Sequence, residues 1–286
     1  MADGRWLHQS LRPDVRITVA PMRHCYVLRV FTRGDEGGNH LGVVPDMTGL
    51  PERAMQEIAT ENGFSETVFI DWRQEGVPSV RIFTPSTEIP FAGHPLVGAA
   101  WVLGMIGPGT VDRMSCAVGQ IPFWMDGEVV WVDTPMAQDI HATAEAGAVA
   151  VAAGLPEPVD AWWVRMPLPY LVADLGSAEA VASAQPDLAA LQRQDAGMCY
   201  IFSSDGEKVT ARFFAPAVGV PEDPATGSAA AALAAIRHHR GEKVGRMTIR
   251  QGDEIGHPST IEVSWDGPVV GLGGTVRRDE VRVLEQ

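Results

Sequence analysis

Cysteine is scarce in this 286-residue chain: Cys25, Cys116 and Cys199 are all there are, with no CxxC pair and no metal-ligand spacing. That excludes a disulfide scaffold and a thiolate metal centre, and thiols flanked by apolar residues read as packing residues. Positive charge is short as well, 22 Lys and Arg against 36 Asp and Glu, for a formal net charge of −14 and a pI near 4.9. With no basic patch to override that balance, neither nucleic acid nor a membrane surface is an expected partner, and a small molecule is. No apolar run reaches the roughly 18 residues a membrane-spanning helix needs. The longest, Pro95 to Gly107, reads as a buried helix. Arg5, Arg12, Asp14, Arg16 and Arg23 break up the first two dozen residues, so no secretory segment is expected and the cytoplasm is the expected compartment. GxGxxG, the P-loop and His/Cys/carboxylate clusters are all missing, so neither cofactor nor metal is expected.

What is present is an ordinary globular composition, 45% hydrophobic and 20% charged, enough for one large domain or two medium ones. Cys25 to Thr32 alternates and is rich in strand formers, and Arg33 to Gly38 follows as a turn. Leu50 to Thr60 has helical spacing, with Met55, Ile58 and Ala59 on one side. Val68 to Asp71, Val80 to Phe83 and Ile261 to Trp265 predict strands, and Gln120 to Val132 a pair of them around a WMDG turn.

Compared with itself, the chain repeats. RIFTPSTEIPFAGHPLVGAA from Arg81 and RFFAPAVGVPEDPATGSAAA from Arg212 align without gaps, matching Arg81/Arg212, Phe83/Phe214, Pro85/Pro216, Pro90/Pro221, Ala99/Ala230 and Ala100/Ala231. Each copy is a strand, a Pro-bearing loop and a helix of small residues. Two related halves follow, 1–119 and 120–280.

Neither Pro95 to Gly107 nor Pro224 to Ile236 contains a charged residue. A helix without a polar face must be surrounded by protein, and Ala, Gly and Ser let strands approach it closely, so each helix is expected to run through a curved sheet. Each begins at a Pro/Gly loop with a polar residue at its mouth, His94 in Gly93-His94-Pro95 and Asp223 in Asp223-Pro224, with Asp223 placed as an N-cap. Free N–H groups in the first turns of two such helices would hold a carboxylate without any Lys or Arg. On the residues alone, His94 and Asp223 divide evenly between that task and plain loop and cap roles, and Glu66 reads as a solvent-exposed strand-edge residue.

Together the blocks VLRVFTRGDEGGNHLGVV from Val27, NGFSETVFI from Asn62, the two repeat copies and RQGDEIGHPSTIEV from Arg250 resemble the PhzF family of phenazine-biosynthesis proteins over about residues 25 to 280. The resemblance implies an α/β fold of the diaminopimelate-epimerase type: two similar pseudo-repeat domains, each a curved sheet around a central buried helix, with the site between them and the closing segment 281–286 joining the first half. It implies a cofactor-independent isomerase that shifts a proton or double bond on a small cyclic carboxylated substrate, in a homodimer. Glu66 falls on the family's acid/base, His94 and Asp223 on its polar partners, and Ser65, Gly93, Gly227 and Ser228 on substrate-binding positions. A carboxyl group in a dry crevice has its pKa raised toward neutrality, which suits taking a proton from one carbon and returning it to another.

Racemases of this wider fold use two facing cysteines, and neither helix mouth has one, so inversion of a centre is disfavoured. Hydrolysis or C–C cleavage with Glu66 activating water, and non-catalytic binding of a small molecule, are the competing functions. Two residues depart from the family pattern. His40 stands where Pro usually follows GN, and His257 where Arg usually stands. Trp162-Trp163 reads as a core pair and His238-His239 as the cationic end of a helix.

Overall fold

The computed structural model describes residues 23–73, 76–107, 111–137, 139–166, 169–193 and 196–284. The lead-in 1–22 and residues 285–286 of the closing segment lie outside them. In the first half, β1 (Arg23–Thr32), β2 (Asn39–Val44), α1 (Glu52–Asn62), β3 (Glu66–Asp71), β4 (Ser79–Phe83), β5 (Glu88–Ile89), α2 (Gly93–Ile106), β6 (Arg113–Cys116), β7 (Gly119–Asp126) and β8 (Val129–Pro135) follow in order. Then come β9 (Ile140–Ala142), α3 (Ala144–Ala152), β10 (Asp160–Arg165), β11 (Pro169–Asp174), α4 (Ala178–Ser183) and α5 (Leu188–Arg193). The chain continues through β12 (Cys199–Asp205), β13 (Lys208–Ala215), β14 (Val220–Asp223), α6 (Gly227–His239), β15 (Val244–Gln251), β16 (Ser259–Asp266) and β17 (Val269–Leu284).

The pairing pattern is duplicated. β2 lies parallel to β3, β3 antiparallel to β4, β4 parallel to β6, and β6, β7 and β8 form an antiparallel run. β11, β12, β13, β15, β16 and β17 repeat the same sequence of parallel and antiparallel contacts. Two seams join the copies: β8 pairs with the first part of β17, and β1 pairs with the remainder, from Thr32↔Thr275 to Arg23↔Leu284. Val281 to Leu284 thus hydrogen-bond to the first strand of the chain.

α2 and α6 occupy the same slot in each copy and run through the interior. Leu96, Val97, Ala99, Ala100, Val102 and Leu103 of α2, and Ala229 to Ile236 of α6, are all buried in the largest core cluster. The small residues are required by the spacing: a side chain on Gly98 would run into Leu41 and Val30 of the adjoining strands. Truncating one of the larger members, Leu96 or Leu103, would open a cavity and cost about 2–5 kcal/mol. The helix starts differ from expectation by a turn or less. α2 begins at Gly93, with Ala92 as N-cap, and α6 at Gly227, with Thr226 as N-cap. Asp223 ends β14 and caps nothing; the extended backbone runs on to Thr226 before winding begins.

Elsewhere the expected strands appear one to three residues longer, and α1 is shifted to start after Pro51. Trp162 is buried in the main core, with Arg240 stacked over its ring, and Trp163 packs on the second cluster. His238 and His239 end α6. All three cysteines are free, Cys25 and Cys199 buried and Cys116 half-buried. Among the described residues no helix is long and apolar enough to cross a membrane.

Candidate active site

α1 ends at Gly63, which takes a left-handed conformation (φ 66°) and donates its N–H to the Ala59 carbonyl at 3.3 Å. The chain then reverses and enters β3 at Glu66, with Ser65 just before it. β3 lies parallel to β2 with Leu41 opposite Glu66, so Asn39 at the head of β2 and Glu66 at the head of β3 open onto the same crevice. The start of α2 forms its second side and the β14–α6 loop its third.

These elements bring the expected residues together. Glu66 Oε2 and His94 Nε2 are 3.2 Å apart, and their side chains keep only 15% and 6% of their exposure. The approach is off line for a hydrogen bond, so both atoms are buried without a hydrogen-bond partner. Unsatisfied buried polar atoms are uncommon and carry a desolvation penalty, and two in one crevice have bonding capacity left for a ligand. Burial pushes the Glu66 carboxyl up to about 7, against a smaller lowering by the Ser65 hydrogen bond. Burial likewise pushes His94 down to about 4, opposed by the Asp223 carboxylate and the His40 backbone, so its imidazole is neutral at physiological pH. Asp223 is raised to about 6, again chiefly by burial, with His94, Thr226 and Asn39 opposing and Glu66 adding to the rise.

Asn39 escaped the sequence analysis and is the hub of the polar network. Its Nδ2 donates to Asp223 Oδ1 at 2.9 Å and to the Ala225 carbonyl at 3.2 Å, and lies 3.5 Å from His94 Nδ1; its Oδ1 accepts from Ser65 Oγ at 3.3 Å. Gln251, also missed, donates to the Asp223 carbonyl at 2.7 Å and to Thr226 Oγ1 at 3.0 Å, and Thr226 Oγ1 in turn donates to Asp223 Oδ2 at 2.5 Å. Both residues stand inside blocks that carry the family resemblance, Asn39 as the first residue of β2 and Gln251 as the last of β15, and that membership was the available signal. Tyr170, third of the missed residues, pairs with Ser228 at 3.0 Å; at the head of an apolar strand it reads as core.

Gly93 and Gly227 abut, so the two helix starts point into one space from the two repeats. A Cβ on Gly93 would stand 2.9 Å from Gly227 Cα and 3.0 Å from its carbonyl carbon. Neither helix has a side-chain N-cap hydrogen bond. The N–H groups of each first turn, of which Pro95 supplies none, have no intrahelical acceptor and lie at the crevice with the positive ends of two dipoles. No cluster of three or more His, Cys, Asp or Glu suited to a metal ion occurs among the described residues.

The two departures meet on the outer face of the sheet. His40 stacks on Phe64 at 5.5 Å and meets His257 edge-on at 6.0 Å. Alternation along β2 turns His40 away from the side on which Asn39 works.

A duplicated sheet wrapped on two central helices, with titratable side chains near their paired starts, is an arrangement shared with proteins named as epimerases. Over 92% of this chain the fold matches a hydroxyproline epimerase of Agrobacterium vitis, with a TM-score of 0.58 at 12% identity over 92% of that chain. A predicted epimerase of Pseudomonas aeruginosa matches more closely, with a TM-score of 0.75 at 27% identity over 93% of this chain and 99% of the other. In sequence, the chain is 33% identical to the trans-2,3-dihydro-3-hydroxyanthranilate isomerase of Pseudomonas aeruginosa, across 86% of this chain and 91% of that one. The family model for phenazine biosynthesis-like proteins matches residues 28–282. The chain belongs to the PhzF family, and it is an isomerase.

Proposed function

We propose that this isomerase moves a proton between two carbons of a small cyclic carboxylic acid bearing amino or hydroxyl groups, with Glu66 as the one group that removes and returns it. The observation that carries the proposal is the unpartnered Glu66 Oε2 facing His94 Nε2 in a dehydrated crevice. A carboxyl group held near pH 7 is almost equally ready to accept a proton and to release it. As carboxylate, Glu66 takes the proton from a C–H bond, and the electron pair left behind spreads through the adjoining double bond. As carboxylic acid, whose proton exchanges with solvent before the second transfer, it then delivers a proton to a second carbon on the same face. Neutral His94 and the Asp223 carboxyl hydrogen-bond the substrate's heteroatoms and steady the charge that develops between the two transfers. The substrate carboxylate sits on the paired starts of α2 and α6, at Gly93, Gly227 and Ser228, and Ser65 keeps Glu66 aligned.

The relative's substrate, trans-2,3-dihydro-3-hydroxyanthranilate, has this chemistry and is the first compound to try, with a biosynthetic step as the setting and a homodimer as the working form. Turnover in deuterated water should place label on a product carbon, and Glu66→Gln should abolish both turnover and labelling. Undiminished turnover by that variant would remove Glu66 from the mechanism, and a product of different mass would replace isomerisation by hydrolysis or cleavage.

A further inference from the structure

Most polar groups of the crevice come from β2, β3, α2 and the loop before α6. One comes from β11, a strand that no motif marked. Tyr170, its second residue, is 4% exposed, and its ring stands edge-on to Phe213 at 5.5 Å, which fixes the direction of the phenol. The oxygen lies 3.0 Å from Ser228 Oγ on the first turn of α6. Burial pushes the hydroxyl up to about 12, with the Ser228 hydrogen bond opposing and the carboxyl groups of Asp223 and Glu66 adding to the rise. The phenol thus stays protonated and is close enough to sense both acids.

The hydrogen-bond inventory of the pair is uneven. Two hydroxyls carry two O–H donors and several lone pairs, and the bond between them uses one donor. Among the described residues, neither oxygen has a second hydrogen bond, so one O–H remains to be placed. The surroundings define what it suits. Glu66 and Asp223 make the crevice a poor place for a second negative charge, whereas the uncapped helix starts beside Ser228 favour one. A donor fixed at that end lets an anionic group settle against the helices and away from the acids.

We infer that Tyr170 is a positioning and specificity-determining residue of this enzyme: it holds the Ser228 hydroxyl at the joint of the two helix starts, so that the pair's spare O–H donates to an anionic oxygen of the substrate. The inference rests on the proposed seat of the carboxylate at α2 and α6. It makes the crevice discriminate between a carboxylate and its uncharged carboxamide, and it assigns the discrimination to a residue that never touches the migrating proton.

Calorimetric binding of 3-hydroxyanthranilate and 3-hydroxyanthranilamide to wild type, Tyr170→Phe, Ser228→Ala and the double variant tests it. Tyr170→Phe keeps the ring and its packing on Phe213 and removes one oxygen. Wild type should prefer the acid, and each single substitution should weaken acid binding about tenfold or more while leaving the amide nearly unchanged. The double variant should lose no more than Ser228→Ala alone, because Tyr170 acts through Ser228. A merely structural tyrosine would weaken both ligands alike. If wild type prefers the acid and Tyr170→Phe keeps that preference, the role assigned to Tyr170 is overturned while the carboxylate seat stands. If wild type shows no preference for the acid, the seat itself is wrong and the inference falls with it.

Discussion

Gly93 and Gly227 touch backbone to backbone: a methyl group on either would lie 2.9 to 3.2 Å from the other's Cα. The residues are the first of α2 and α6, one from each copy of the duplicated motif, and nothing but hydrogen fits between them. This contact brings the positive ends of two helix dipoles together at the place proposed for the substrate carboxylate.

Gly93→Ala should therefore be destabilising by about 1–3 kcal/mol, since the obstacle is backbone and cannot swing aside. It should also raise KM by prising the helix starts apart. Gly104→Ala on the same helix is the control. Its methyl would meet only the flexible end of Met125, and alanine is the better helix former, so stability should hold or rise. Urea unfolding of the pair separates a steric effect at the joint from a general intolerance of α2.

The proton removal proposed for Glu66 needs the carboxylate, so kcat/KM should climb between about pH 6 and 8, as a group held near 7 loses its proton. His94, held near 4, is already neutral across that range and contributes no limb there. A rate that is flat from pH 5 to 8 would contradict the assignment.

The same group makes a stability prediction of opposite sense. In the unfolded chain Glu66 titrates near 4.5 and in the folded protein near 7, so between those values the native state binds more protons and stability falls as pH rises. Glu66→Gln removes that penalty and should stabilise the protein by about 1–3 kcal/mol at pH 8, with the gain vanishing near pH 4. His94 works the other way, lowering stability as pH drops below its ordinary value, but it does so in both proteins and cancels from the comparison. Equal melting temperatures for the two proteins at pH 8 would show that Glu66 is not held in a dehydrated place.

Asn39 ties Ser65, Asp223 and the Ala225 carbonyl into one network. Asn39→Ala leaves several buried groups without partners and should cost about 2–3 kcal/mol. Asn39→Asp keeps the shape but sets a second carboxyl where the amide stood 2.9 Å from Asp223. Its signature should be a pKa for Asp223 well above the present value of about 6, measured by carboxyl NMR.

Much of this is legible in the sequence. Arg81 and Arg212, matched by the internal alignment, do the same work in both copies: Arg81 lies over Phe83 at 5.1 Å and pairs with Glu88, and Arg212 lies over Phe214 at 4.9 Å and pairs with Glu222. The charge-free stretches became the two buried helices, because a helix without a polar face has no stable position at a surface. Helix starts were misplaced by two or three residues, since a proline and an aspartate satisfy first-turn preferences wherever they fall, and only β14 pairing with β13 carries Asp223 into extended structure instead.

Local chemistry fixed which segments are strands and which are central helices, because side-chain periodicity and the absence of charge act within a few residues. It also fixed the duplication, which is written into the order of residues. Which atoms share the crevice was decided elsewhere. Asn39 reaches Asp223 across 184 positions of chain and Tyr170 reaches Ser228 across 58, contacts set by how the strands of two motifs register against each other. The acidity of Glu66 belongs to the same category: a carboxyl group has its altered affinity for a proton only when distant segments close over it and remove the water.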